Sequence, residues 1–297
     1  MSTGSLSKRF DFFKVPGRSR TEMKNRILLT RNYMEKEALY FNSYFLTYDK
    51  IRPGYPTEIY KTIEKYKNFD ENSLILEIGA GSGIASKEIY DMWHSKLTLI
   101  EPGANFCEIL IEQFKNIDDV KIENTTFEKY ENKTLFDAIF SATAFHWLDL
   151  SVKYKRAFKM LKEDGLLILY WNYYGIENIE MENCIQKIYV KYGMGLNDGK
   201  NGYERQMETI NDRRREIEES GYFKILDHKI IKRIIEYSAS DNTKLLKTFP
   251  NHSKLEDNFF IEIENIIREN GNKINGRVLT NIEIGIKTDA AGMALHR

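Results

Sequence analysis

Short apolar runs alternate with amphipathic stretches through the middle of this 297-residue chain. Apolar runs flanked by glycine or polar residues read as buried strands, and stripes at helical spacing read as helices. On that basis the pattern predicts strands at 74–79, 97–101, 119–124, 135–141 and 165–172, with helices at 84–93, 103–116 and 151–162. Upstream, Ile27, Leu28, Leu29, Tyr33, Met34, Leu39 and Tyr40 form an imperfect apolar stripe, which predicts a helix over 21–47. The segment Arg52, Pro53, Gly54, Tyr55, Pro56 must break it, because proline cannot continue a helix; a second helix follows at 57–66. After Trp171 the pattern changes to charged helical sequence over 177–220, around a glycine-rich loop at 193–202. One strand is expected from Tyr222 to Tyr237, then a bend, two helices between 241 and 270, and a last strand from Arg277 to Lys287. Alternating strands and helices imply an α/β fold with a mostly parallel sheet covered on both faces, and a ligand cleft at the carboxyl ends of the strands.

The most informative stretch closes the first strand. After Leu74 to Ile78, with Glu77 embedded in it, come Gly79, Ala80, Gly81, Ser82 and Gly83. Glycines here let the backbone turn sharply and approach a ligand closely. The dinucleotide fingerprint needs a third glycine at position 84, where this chain has Ile84. That departure counts against a nicotinamide dehydrogenase. Glu77 would repel a pyrophosphate but suits a ligand carrying an ammonium group. Glu101 ends the second strand, 20 positions after Gly81, where an acidic residue accepts hydrogen bonds from ribose hydroxyls. Pro102 then suits the first turn of the next helix.

These motifs resemble the first elements of class I S-adenosylmethionine-dependent methyltransferases. The later run Ala142, Phe145, His146, Trp147, Asp149 is similar to that of the trans-aconitate methyltransferase-like group, as is the segment Tyr48, Arg52, Pro53, Tyr55, Pro56. Residues 247–255 resemble a lid segment of the same group. The resemblance implies a Rossmann-like seven-stranded, mostly parallel sheet with helices on both faces, a terminal antiparallel hairpin, and a helical lid insertion. It divides the chain into a basic leader and helix (1–47), a cofactor-binding core (48–175), the remaining core strand with the helical lid (176–275), and a last strand and tail (276–297). It implies S-adenosylmethionine as cofactor and S-adenosylhomocysteine as product. Its cofactor contacts map to Arg52, Glu77, Gly79, Ala80, Gly81, Gly83, Glu101, Pro102, Thr126, Phe127, Ser141 and Phe145. Tyr55, His146, Trp147, Trp171 and Asn172 are the candidate acceptor contacts. Phe145 and Trp147 are candidates to face the sulfonium, since an aromatic face stabilises a cation by about 0.5–2 kcal/mol. His146 is the one candidate catalytic base, because its unperturbed pKa lies near neutrality; a structural role for it remains equally open.

Composition narrows the function classes. There are 44 basic and 44 acidic residues, and this balance argues against a default nucleic-acid binder. A local basic excess from Lys8 to Arg31 is the exception; it keeps RNA or protein methylation open as an alternative, beside a non-catalytic cofactor-binding regulator. Cys107 and Cys184 form no metal-ligand spacing and no disulfide framework, so no metal and a reducing, cytoplasmic location are expected. No apolar run reaches membrane-spanning length. The expected acceptor is a small molecule.

Overall fold

A computed structural model describes residues 51–195 and 198–288. The helix expected over 21–47, Tyr48, the basic leader and the tail from 289 lie outside the described residues. The described chain builds one seven-stranded sheet in the order β3-β2-β1-β4-β5-β7-β6. Its strands are β1 (Leu74–Ile78), β2 (Lys96–Ile100), β3 (Val120–Glu123), β4 (Phe136–Ala142), β5 (Leu161–Ile176), β6 (Phe223–Ser238) and β7 (Lys273–Lys287). The first five pair in parallel, while β7 runs antiparallel to both β5 and β6. Helix α1 (Glu58–Ile63) precedes β1, and α2 (Ile84–Trp93), α3 (Ala104–Phe114) and α4 (Lys153–Met160) connect the parallel strands. Two helices, α5 (Ile179–Lys191) and α6 (Gly202–Glu219), separate β5 from β6; α7 (Ala239–Lys247) and α8 (Asp257–Glu269) separate β6 from β7.

Three expectations change. β5 extends from Leu161 to Ile176, well past the 165–172 of the sequence pattern, because its far end pairs with β7 rather than with β4. β7 starts at Lys273 and not at Arg277, because its first residues pair with the end of β6. Pro102 does not open α3: the helix starts at Ala104, with Gly103 as its N-cap.

Alternation along the strands splits the core into two layers. Ile75, Phe140, Leu166, Ile168 and Tyr170 pack with α1 and α2 on one face. Leu76, Ile78, Ile139, Leu167, Leu169 and Trp171 pack with α4 and Ile217 of α6 on the other. A third cluster, built on Phe259, Phe260 and Ile263, joins α5, α7 and α8 into one helical unit. No described helix is long and apolar enough to cross a membrane.

Candidate active site

The glycine turn after β1 has the geometry its sequence implies. Gly79, Gly81 and Gly83 have φ of 71°, 57° and 88°, the left-handed region that glycine enters without a Cβ clash. At Gly79 a Cβ would also meet the Cβ of Ala144 at 2.4 Å, so the turn and the loop after β4 touch directly. Gly83 has a different job. A Cβ there would meet Leu110 and Gln113 at 2.8 Å, so this glycine lets α2 pack on α3.

Carboxylates surround the turn. Glu101 accepts from the Gly81 amide at 2.9 Å and the Gly103 amide at 2.7 Å, and so fixes the loop to β2. Burial raises its pKa and these two amides pull it back down. Glu77 is 1% exposed and accepts from Ser86 Oγ at 2.5 Å, while its Oε1 has no partner among the described residues. Burial pushes the Glu77 carboxyl up to about 8, with Glu88 and Glu101 adding repulsion. Glu88 of α2 accepts from Tyr60 Oη at 2.7 Å and from the Tyr55 amide at 3.2 Å. A turn held by the Glu101 carboxylate, with an unpartnered carboxyl oxygen of Glu77 buried nearby, fits a cationic ligand; a pyrophosphate would be repelled.

The cleft beside this turn is lined by Arg52, Tyr55, Gly79, Ala80, Gly81 and Asn172, among others. Its wall is knitted by Asn172. The amide nitrogen of Asn172 donates to the carbonyls of Pro53 (3.2 Å) and Gly54 (3.4 Å), and its oxygen accepts from Thr280 (2.6 Å) and Arg233 (3.3 Å). Thr143 lines the same cleft at φ 57°, an uncommon conformation for a β-branched residue. Its hydroxyl pairs with Tyr55 Oη at 3.0 Å. Arg52 reaches across to the segment after α7, donating to Thr248 Oγ1 at 3.0 Å and to the Thr248 carbonyl at 3.1 Å. Its guanidinium lies 4.6 Å from the Phe249 ring and 5.2 Å from that of Tyr174.

Other sequence candidates stand apart from the cleft. Phe127 and Phe145 are 1% exposed and belong to the hydrophobic layer on the α4 side. The Phe145 ring already holds Lys153 Nζ at 5.1 Å, so it does not face a sulfonium in the cleft. Ser141 is buried with its hydroxyl bound to the Ile78 carbonyl at 2.9 Å, a tie between β4 and β1. Pro102 is exposed, and the Thr126 carbonyl caps a turn by accepting from Lys129 and Tyr130.

The five acceptor candidates are divided between the two faces. Tyr55 and Asn172 are on the cleft side, whereas Trp171 points to the α6 side, because neighbours on a strand point opposite ways. Trp171 Nε1 donates to His146 Nδ1 at 3.2 Å, and His146 stacks on Trp147 with ring centroids 4.7 Å apart. An accepting Nδ1 puts the proton of the neutral ring on Nε2. Burial, then Arg213 and Lys153, hold the His146 pKa well below its usual value. His146 is therefore a neutral ring whose Nε2 already carries a proton, which removes it as the base the sequence suggested.

Sequence reasoning missed Arg213 and Glu88. Arg213 stands in line with Gln206, Ile210 and Ile217, the buried stripe of α6, and that spacing was the available signal. Glu88 lies one turn after Ile84 on the α2 face that meets Gly54 and Tyr55, inside a segment that reads simply as an amphipathic helix.

A sheet with one antiparallel strand next to its edge, and an acid-lined glycine turn at the carboxyl end of β1, define a class I methyltransferase core. Residues 75–165 match the family model described as a methyltransferase domain. An uncharacterised methyltransferase of Schizosaccharomyces pombe is 24% identical over 81% of this chain and 94% of its own length. Malonyl-[acyl-carrier protein] O-methyltransferase 2 of Ilyobacter polytropus is 28% identical over 62% of this chain and 73% of its own. Among solved structures, a candidate type II methyltransferase of Anaeromyxobacter dehalogenans superposes with a TM-score of 0.54 at 15% identity, covering 79% of this chain and 97% of that one. Residues 75–165 thus match a methyltransferase domain, and they sit on a sheet with the class I S-adenosylmethionine-dependent methyltransferase fold.

Proposed function

We propose that the cleft holds S-adenosylmethionine against the glycine turn and that the enzyme methylates a small-molecule acceptor. Glu101 is the ribose ligand in this reading: its carboxylate is already aimed at the turn by the Gly81 and Gly103 amides and has lone pairs left for two hydroxyls. Glu77 has one oxygen unpartnered and burial favours its neutral carboxyl, so in this reading the cationic end of the cofactor draws it into the charged form. Gly79, Ala80 and Gly81 let the backbone come close, and the Thr126–Phe127 turn offers main-chain groups to the adenine, the Phe127 ring being committed to the core. Arg52 is a candidate for the cofactor's carboxylate; it would have to exchange its Thr248 contacts for that pair.

When bound, the cofactor supplies a methyl group already activated as a sulfonium. The residues of this chain then have to bind, orient and exclude water. The unit of α5, α7 and α8 is read as the lid, with the Arg52–Thr248 contacts tying it to the cleft wall. Asn172 and Thr143 position that wall. The single observation carrying the reading is the Glu101 carboxylate held against the glycine turn by the Gly81 and Gly103 amides, with the Glu77 carboxyl buried close to it. Calorimetry with S-adenosylhomocysteine tests it, together with transfer of labelled methyl from the cofactor into a metabolite fraction free of protein and RNA. One-to-one binding with labelled small molecules is the expected result. Label confined to RNA or protein would refute the small-molecule acceptor.

A further inference from the structure

The α6 face of the strand ends carries a charge that the cofactor cleft does not use. Arg213 lies with its guanidinium carbon 4.7 Å from the Trp171 ring centroid and 5.3 Å from that of Tyr173. Aromatic faces stabilise the charge, but they leave the in-plane N–H donors of the guanidinium without acceptors. Arg213 Nη1 is buried with no hydrogen-bond partner among the described residues, and so is Tyr173 Oη beside it. A buried guanidinium nitrogen without an acceptor is costly unless something pairs with it.

The charges around Arg213 are matched elsewhere. Lys153 pairs with Glu216 at 2.7 Å, and Glu216 also accepts from Tyr154 Oη at 2.7 Å. Arg214 pairs with the fully buried Glu283 at 3.0 Å. His146 is neutral, since its Nδ1 accepts the Trp171 N–H. The surroundings of Arg213 are therefore left with one positive charge, two unpaired donors and two aromatic rings. One positive charge suits a singly charged, planar carboxylate, which the guanidinium fork can grip with two parallel bonds. A doubly charged phosphate monoester would bring one negative charge too many, next to Glu216 and Glu283.

Residues 143–147 connect this place to the cofactor cleft. Thr143 lines the cleft, whereas His146, three residues later, contacts Trp171 on the α6 side. We infer that Arg213, assisted by Tyr173 Oη, is the anchor for a carboxylate group on the methyl acceptor. This rests on the methyltransferase reading above and adds the substrate class to it.

The test uses the full chain saturated with S-adenosylhomocysteine and follows three probes by ligand-observed NMR: butanoate, its neutral amide butanamide, and inorganic phosphate. Wild type is expected to bind butanoate at least tenfold more tightly than butanamide, and more tightly than phosphate. Arg213→Gln should erase the preference for butanoate while leaving affinity for S-adenosylhomocysteine unchanged, and Arg213→Lys should keep part of it. Equal binding of butanoate and butanamide by wild type overturns the proposal without needing any variant. So does tighter binding of phosphate, or an Arg213→Gln protein that binds S-adenosylhomocysteine normally and keeps full butanoate affinity. Failure of the wild type to bind S-adenosylhomocysteine would instead strike the cofactor reading, and the two failures are thus told apart.

Discussion

Asn172 and Trp171 are neighbours on β5, yet they face polar layers of different make-up. On the Asn172 side the strand ends meet a layer of carboxylates, Glu77 and Glu88 with Glu101 beside the turn, and the hydrogen bonds of Asn172 itself are complete. On the Trp171 side the layer is basic and incomplete, with Arg213 stacked on rings and short of acceptors. A strand's period of two is enough to build both. The lesson is that one sheet end can offer an acidic wall to a cationic cofactor and a basic one to a second ligand. The two charges stay apart because a layer of backbone lies between them.

The comparison can be broken most severely at Glu101. Replacing it with alanine removes the partner of two loop amides and of the proposed ribose hydroxyls. Two charge-assisted hydrogen bonds at the lower end of their range predict about a hundredfold loss of affinity for S-adenosylhomocysteine by calorimetry. Undiminished affinity would end the ribose assignment. Gly79→Ala comes next, since the new methyl meets Ala144 in a left-handed turn. Strain and overpacking of this kind cost about 1–3 kcal/mol, to be read as a lowered unfolding midpoint in urea.

A pH experiment sharpens the contrast between the faces. The Glu77 carboxyl is raised from its ordinary value to about 8 by burial. Its contribution to stability is thus fully present below the unfolded carboxyl's pKa near 4.5 and is lost as pH rises through about 8. Glu77→Gln should gain stability relative to wild type between pH 5 and pH 9, by a few degrees in Tm. Two parallel melting curves would contradict the assignment. The smallest effect belongs to Trp171→Phe, which deletes the N–H held by His146 Nδ1. One neutral hydrogen bond predicts a loss of about 1 kcal/mol. The nitrogen-15 shifts of the His146 ring should report the change at Nδ1; an unaltered spectrum would mean that Trp171 does not set the tautomer.

Much of this was legible in the chain. The turn at Gly79 to Gly83 needs positive φ at three positions, and only glycine at alternate positions announces that so openly. The short parallel strands β1 and β4 read well because their buried runs are mostly apolar. The extensions of β5 and β7 did not, because Tyr174 to Ile176 and Lys273 to Gly276 mix glycine and polar residues with few apolar ones, and their pairing with neighbouring strands leaves no apolar run. Aromatic residues after β4 were the weakest guide. Phe145 and Phe127 look available to a ligand in sequence, yet both fill the core, since chemical type does not say which face a side chain takes. Arg213 was hidden for a related reason: between Asp212 and Arg214 to Glu216 it reads as part of a solvated charged run, and only the helical register turns it inward.

Asn172 has one further consequence. Its side chain gathers Pro53, Gly54, Arg233 and Thr280, groups 119, 118, 61 and 108 residues away along the chain. Arg233 also reaches the Gly54 carbonyl across 179 positions. Contacts of such separation form late, because long loops must close first. During synthesis this corner of the cleft has to wait for residue 280 to leave the ribosome, so a nascent chain can fold its glycine turn long before it owns a finished binding wall.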